Sequence, residues 1–552
     1  MRRLAAAAGA AALALAAVAA VLGAAEVCAR LLTDPPRYHR EPLELDPELG
    51  FRGIPDYAAL AQDERGVFEF RLNADGLRGR EIAPPGAGGG VLRVALLGDS
   101  FLVGAGVREE ELLSSQVASL LAARGVRSEV YNLSAIDYGT GQELLLLRRF
   151  APALAPDVVV LAVYPQNDLI NDYEGLAGLS RLSPGDVVRP YVVPDAARLR
   201  VRHTRPAAAF LRRHSRLYGV LERRVLGFAA AHRIPWLLPF APGAEPAERL
   251  RAGEAPLEQL EIFRSHPPQH RWERAWQRSL QLLDAFVFTC AELSARPIAL
   301  VIPDLHQVVR GARDVELDLL AREILATPLD AWLDWSLPER RLAQHLDARG
   351  IQTLLLLPHF RRAARNGETL YLRDAHLGPP GHALAAKLVA AAIAGDAPPP
   401  APLAGAPIPL PVGSAAPRLI EPGRADHARF LGPGQWSPWA PTADAAIAGA
   451  VPSARALVAL PAAGRELLVR GLATPRGRPL EVALEVVGGP QLGFQIERPG
   501  PFEARVALDA ARLPRANGYL ALRIGPVEPD ADAGRKLIVR EIGLVSRDRA
   551  AR

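Results

Sequence analysis

The chain has 552 residues, 49% of them hydrophobic and 23% charged, too long for one ordinary domain and too apolar for a disordered polymer. Its net charge of +5 comes from arginines scattered among 60 acidic residues. No basic cluster is interleaved with stacking aromatics, so no nucleic-acid partner is expected. The two cysteines, Cys28 and Cys290, have neither metal-ligand spacing nor the pattern of a disulfide framework, and no cofactor or metal is implied.

Arg2 and Arg3 precede an Ala/Leu/Val run from Leu4 to Ala25. As a helix rising about 1.5 Å per residue, this run covers about 30 Å of hydrocarbon. The basic flank places the N-terminus in the cytoplasm and the rest of the chain on the periplasmic or extracellular side. Residues 1–32 are therefore expected to be a single-pass signal anchor in the cell membrane. A cleaved signal peptide is the competing reading, because Gly23 and Ala25 offer small residues for processing. Residues 33–90 are mixed and Pro-rich, with an extended stretch at Val67–Leu72 and a turn at Asn73–Gly76, and read as a stalk and lead-in that packs back.

From Arg93 the pattern becomes buried strands alternating with amphipathic helices. The strands are Val94–Leu97, Ser128–Leu133, Val158–Val163, Pro297–Ile302 and Gln352–Leu357. The helices are Glu109–Ala123, Gly141–Phe150, His270–Leu293, Pro338–Arg349 and Gly381–Ala394. Residues 91–394 thus form an α/β domain around a parallel five-stranded sheet, interrupted by an insertion at about 172–267. The insertion holds an Arg-rich helical pattern, Ala207–Ala231, and a Pro-rich stretch, Pro235–Pro246, around Trp236. Residues 395–421 are dense in Pro, Ala and Gly and read as a linker. Beyond them, Ala456–Leu460, Glu466–Leu472, Leu480–Val487, Phe502–Leu508, Tyr519–Ile524 and Leu537–Val545 alternate as strands. Residues 422–552 are accordingly expected to be an antiparallel β-sandwich.

Parallel sheets place their chemistry just past the carboxyl ends of the strands. Four such places carry reactive side chains. Ser100 follows the first strand within Gly98-Asp99-Ser100 and lies near a helix N-terminus, where free N–H groups hold a developing oxyanion. The loop Ser134–Thr140 after the second strand offers a backbone N–H near Asp137. Asn167 and Asp168 follow the third strand, and the Asn167 amide donates without titrating. Asp374 and His376 lie in a loop before the closing helix, with the imidazole as general base for Ser100 and the carboxylate as its orienting partner. Packing alone does not demand a Ser, an Asn and an Asp/His pair at one sheet edge. Neither a dinucleotide-binding pattern, nor a Walker A lysine, nor a G-x-S-x-G elbow is present.

These blocks, Leu96–Phe101, Asn132–Gln142, Asn167 with Asp168, and Asp374–His376 with Gly381 and His382, resemble those of the SGNH (GDSL-type) hydrolases. The resemblance implies a flavodoxin-like three-layer α/β/α domain and ester hydrolysis by Ser100, His376 and Asp374. It also implies an oxyanion hole made of the Ser100 N–H, the Asp137 N–H and the Asn167 side chain. Three positions depart from the family pattern. Asp137 stands where block two usually has glycine, and a carboxylate there repels an oxyanion unless it points away. Gln166 replaces the glycine before the block-three Asn, and one residue rather than two separates Asp374 from His376. The short spacing resembles the subgroup that includes alginate O-acetyltransfer proteins. Gly50-Phe51-Arg52 with Asn73, Asp75, Gly76, Arg78 and Gly79 resembles the lead-in of membrane-anchored bacterial members. The C-terminal sandwich is similar to galactose-binding-like jelly rolls.

The expected function is therefore a serine esterase that removes small acyl groups, such as acetyl, from an envelope or extracellular carbohydrate through an acyl-serine intermediate. Two alternatives stand beside it: an O-acyltransferase on a cell-envelope polysaccharide, and a non-catalytic glycan-binding or assembly protein that Asp137 would favour. Of the remaining aromatics, Trp436 and Trp439 are expected in the core of the sandwich rather than on sugar rings. Trp272 and Trp276, one helical turn apart, are expected to face the core.

Overall fold

The computed structural model of the chain describes residues 2–32, 42–63, 66–84, 90–179, 189–195, 198–202, 255–264 and 270–396, parts of 210–221, and most of 401–545; of residues 2–12 it describes the backbone alone. The Arg-rich pattern at 207–231 falls mostly, and the Pro-rich stretch at 235–246 wholly, outside the described residues.

The first helix, α1 (Arg2–Leu32), forms over the Ala-rich run. Its reading as a membrane span is not supported: among the described residues no helix is long and apolar enough to cross a membrane. Just beyond the apolar run, Glu26 pairs with Arg30 at 2.7 Å and also accepts from Ser215 Oγ and the Arg216 and Leu217 N–H groups.

The lead-in is two hairpins, β1 (Leu43–Asp46) with β2 (Gly50–Gly53) and β3 (Ala58–Asp63) with β4 (Gly66–Arg71). Leu43, Leu49, Phe51 and Leu77 are buried in the same apolar core as the main sheet, so this segment is part of the α/β body. Gly53 and Gly76 touch backbone to backbone, where a Cβ on either would meet the other's carbonyl oxygen at about 2 Å.

The main sheet is β5 (Leu92–Gly98), β6 (Ser128–Ser134), β7 (Val158–Val163), β10 (Arg296–Val301) and β11 (Gln352–Leu355). All neighbours are parallel, in the spatial order β11-β10-β7-β5-β6. Counted within this sheet, that order is 2-1-3-4-5, the flavodoxin-like arrangement, with its switch point between β5 and β7. Strand β7 is buried at every position, as a strand covered on both faces must be. One face carries α4 (Thr140–Leu154) and α6 (His270–Glu292), where Trp272, Trp276 and Phe286 are buried, as expected of the tryptophan pair. The other carries α3 (Leu113–Ala123) and α10 (Pro379–Ala394), packed on Val94, Leu96, Val160 and Leu300. A further hairpin, β8 (Tyr191–Asp195) with β9 (Arg198–Arg202), belongs to the insertion.

The fifth strand is shorter than the sequence suggests. After Leu355 the chain becomes α9 (Leu356–Arg365), with Leu356, Leu357, Phe360 and Ala363 buried at helical spacing. Proline at 358 falls in the first turn, where its missing N–H costs nothing.

The C-terminal region holds two antiparallel sheets. One has five strands, β12 (Trp436–Trp439), β13 (Gly449–Pro452), β20 (Leu537–Val545), β15 (Glu466–Ala473) and β18 (Gly500–Ala507). The other has four, β14 (Ala456–Pro461), β19 (Tyr519–Pro526), β16 (Leu480–Val486) and β17 (Gln491–Ile496). Both bury their inner faces in one core, which also takes Ala312, Val315 and Leu319 from the helix Ala312–Leu325 of the α/β body. Trp436 is buried there, with its indole N–H on the Leu457 carbonyl at 2.8 Å. The Pro-, Ala- and Gly-rich segment is pinned on both sides: Ile408 bridges to Val309, and Ile420 to Ile542.

Candidate active site

Strand β5 ends at Gly98 and the chain turns at once into the single helical turn Ser100–Val103. Asp99 caps this turn, its Oδ1 accepting the Phe101 N–H at 2.9 Å. Gly104 closes it in the left-handed conformation, φ 60°. Asn132 at the end of β6 supports the same turn, donating to the Leu102 carbonyl at 3.0 Å. From the lead-in, the buried Arg78 guanidinium donates to the carbonyls of Val103, Gly104 and Val107. The Asn73–Gly79 signature therefore fixes the loop that follows the nucleophile.

His376 is held by a tight turn: the Leu372 N–H bonds the His376 carbonyl at 2.7 Å, and the Ala375 N–H bonds the Leu372 carbonyl at 3.0 Å. This turn follows α9, not the fifth strand directly. Its imidazole Nε2 lies 2.9 Å from Ser100 Oγ, across 276 residues of sequence. The Asp374 Oδ2 lies 3.1 Å from Nδ1. That contact is out of line for a hydrogen bond, since Nδ1 has no hydrogen-bond partner, so it is electrostatic at this geometry. Burial pushes the Asp374 carboxyl up, but the imidazole and the His376 N–H outweigh it and leave it below its ordinary value. The single residue between them, Ala375, adopts φ 72°. The short Asp-to-His spacing is thus achieved by a left-handed alanine, an arrangement that costs about 1–2 kcal/mol without a glycine.

Asp137 also has positive φ, 61°. The position where the family pattern has glycine keeps a glycine-like backbone, and aspartate is among the few side chains that tolerate it. The carboxylate is taken up by Arg189, which donates to its Oδ2 at 2.6 Å and to the Asp137 carbonyl at 2.8 Å. Neither the Ser100 N–H nor the Asp137 N–H has a hydrogen-bond partner among the described residues. Asn167 differs from expectation, because its amide nitrogen already donates to Asp99 Oδ2 at 2.8 Å and to the Tyr138 carbonyl at 3.1 Å. To serve an oxyanion it must give up one of these. Asp168 takes no part in the site; it is buried, with Oδ2 on the Tyr164 N–H.

Ser100, Asp137, Asn167, Asp374 and His376 all line one cavity of about 280 Å³ at the β5/β7 switch point, walled by Leu43, Phe101, Ile136, Tyr164 and Ile170. Beneath it lies a set of buried carboxyls. Burial raises Asp99 to about 6 and Asp172 to about 7, and raises Glu143 and Asp168 well above the ordinary range. Both Glu143 oxygens and Asp168 Oδ1 have no hydrogen-bond partner. Among the described residues no group of three or more His, Cys, Asp or Glu is placed to hold a metal ion.

Sequence reasoning missed Asp99, Asn171 and Arg189. Asn171, one helical turn after Asn167, donates to the Asn167 Oδ1 and to the Asp137 carbonyl; its i, i+4 spacing was the available signal. For Arg189, inside the insertion, there was none.

No family model and no curated relative matches the sequence. Among solved structures, the chain is similar to a two-domain esterase (CEX) active on acetylated mannans, co-crystallised with mannopentaose, at 10% identity, covering 83% of this chain and 91% of that one with a TM-score of 0.25. It is also similar to an acetyl xylan esterase, AlAXEase, at 13% identity, covering 55% and 100% with a TM-score of 0.27. TM-scores this low carry no weight for fold or function.

Proposed function

We propose that this protein is a serine ester hydrolase of SGNH type that removes a small acyl group from a carbohydrate. The observation that carries the reading is the 2.9 Å contact between His376 Nε2 and Ser100 Oγ inside a cavity lined by Ser100 and Asp137, whose backbone N–H groups have no partner among the described residues. In this reading the imidazole takes the hydroxyl proton as Oγ attacks the ester carbonyl. The Ser100 and Asp137 N–H groups, joined by an Asn167 N–H, hold the oxyanion. The protonated imidazole then passes its proton to the departing sugar oxygen, and water resolves the acyl-serine.

The carbohydrate part of the proposal rests on analogy between the C-terminal antiparallel sheets and glycan-holding sandwiches, a weaker support than the site itself. The exported compartment rests on the Arg2-Arg3 flank and the Ala/Leu/Val run behind it, read as an export signal. The deciding experiment is p-nitrophenyl acetate hydrolysis and fluorophosphonate labelling by the wild-type protein and Ser100→Ala, followed by acetate release from an acetylated polysaccharide. Turnover and labelling that vanish with Ser100→Ala are expected. Labelling of neither protein would overturn the reading. An acyl-serine that persists until an oligosaccharide is added would replace hydrolysis by transfer.

A further inference from the structure

Resting on that reading, we infer that Arg189 is a positioning residue for the oxyanion hole, supplied by the insertion to make an aspartate workable at a glycine position. Three observations meet here. Asp137 lines the cavity with a left-handed backbone, and its N–H has no hydrogen-bond partner among the described residues. Its carboxylate would put a negative charge on the same loop that must stabilise an oxyanion, and its charge is already felt at Asp99 beside the nucleophile. Arg189 meets that carboxylate at 2.6 Å and spans the same residue's carbonyl at 2.8 Å, a two-point grip that fixes both side chain and peptide plane.

The guanidinium is itself buried and held from elsewhere. It donates to Gln142 Oε1 at 2.6 Å and lies over the Phe51 ring at 5.6 Å. Asn171 completes the frame by donating to Asp137 and to Asn167, so two of the three proposed oxyanion donors share one hydrogen-bonded network. A simple packing role would explain the Phe51 and Gln142 contacts. It would not require a cation directed at the Asp137 carboxylate.

The test is a double-mutant cycle on the full chain, Arg189→Ala and Asp137→Asn singly and together, read as kcat and KM for p-nitrophenyl acetate with thermal melting as a fold control. Asparagine tolerates the left-handed backbone and removes the charge while keeping one acceptor oxygen. Arg189→Ala is expected to lower kcat by about 100-fold, comparable to loss of an oxyanion donor, with little change in KM. In the Asp137→Asn background the same substitution is expected to cost less than about fivefold in kcat, because no charge remains to be neutralised. Equal losses in the two backgrounds would overturn the inference and leave Arg189 a packing residue. If Arg189→Ala does not fold, Arg189→Gln in the same two backgrounds reads the same coupling. A wild-type protein that neither turns over ester nor takes up fluorophosphonate brings down the esterase reading and this inference with it, whereas equal losses in an active enzyme bring down this inference alone.

Discussion

Asp172→Asn tests whether the carboxyls under the site are held neutral in the folded protein. Asp172 is buried on the last turn of the helix Pro165–Asp172, with Oδ1 on the Gly141 N–H at 2.9 Å. Desolvation lifts its pKa from 3.8 to about 7, against the lowering pull of that bond and of Arg189. A raised carboxyl stabilises the fold fully only below its unfolded value and loses that stability as pH climbs through the folded value. At about 1.4 kcal/mol per pH unit, folding with this group costs up to about 4 kcal/mol at pH 8 and roughly 1 to 2 kcal/mol at pH 5. Asparagine keeps the acceptor for Gly141, removes the titration, and relieves Glu143 and Asp168, whose carboxyls are raised in part by the Asp172 charge. An amide hydrogen left without a partner would subtract a constant of about 1–3 kcal/mol at every pH. The quantity that matters is therefore the variant-minus-wild-type difference in melting temperature, measured by differential scanning fluorimetry between pH 5 and pH 8. It should rise by an amount corresponding to about 2 to 3 kcal/mol, on the order of 5 °C. A difference that is flat, or that falls toward pH 8, would refute the claim that this carboxyl is folded in its neutral form.

Three further outcomes follow from the geometry. Ser100→Ala and His376→Ala should each cost at least about a thousandfold in kcat/KM, whereas Asp374→Ala should cost no more than about a hundredfold, because Asp374 is out of line with Nδ1; steady-state kinetics on p-nitrophenyl acetate separates these. Arg78→Ala strands three buried carbonyl bonds and a cation–π contact with Phe70 at 4.7 Å, and should destabilise by about 3 kcal/mol or more in urea titration while also lowering kcat through the loosened nucleophile turn. Gly53→Ala drives a methyl to 2.0 Å from the Gly76 carbonyl oxygen and should cost more than about 2 kcal/mol, whereas alanine at Gly125, which has open space, should cost only the roughly 1 kcal/mol of its left-handed backbone.

The legible part of this molecule is the part with short-range grammar. Unbroken Val/Leu/Ala runs such as Val158–Val163 announce strands buried on both faces, and the parallel sheet follows from their alternation with amphipathic helices. Ser100, Asn167 and His376 were visible because each sits at the same end of its element, and the structure brings them around one cavity. What was illegible depends on tertiary context. The strand at Gln352 was read too long because Leu356 and Leu357 suit strand or helix equally, and only the buried Phe360 and Ala363 beyond them reveal the helical period. The hairpins of the lead-in were hidden because Leu43, Leu49 and Phe51 are isolated apolar residues whose shared core lies on the α/β body. The contacts that Glu26 makes with residues 215–217 are equally hidden, because nothing in the apolar run before it points to a partner so far along the chain.

The support of the site also comes from outside the sheet, and in a regular way. The nucleophile turn is gripped by Arg78 from the lead-in, and the oxyanion loop by Arg189 from the insertion. The base loop is gripped in the reverse sense: its own Arg373 donates to the Pro422 carbonyl at the entry to the C-terminal region. Beside that bond, a cavity of about 250 Å³ separates Leu370–Arg373 from Arg429 and Leu431, so the loop is anchored there at a few points rather than packed solidly. Loops at a sheet edge carry few apolar contacts of their own, and backbone carbonyls are the groups that every loop has to offer. A guanidinium, with five donors in a rigid fork, can satisfy several of them at once and leave the side chains free for chemistry. On this argument the lead-in, insertion and C-terminal sheets each set the position of one catalytic loop, and cutting the chain back to its α/β sheet and helices would release all three.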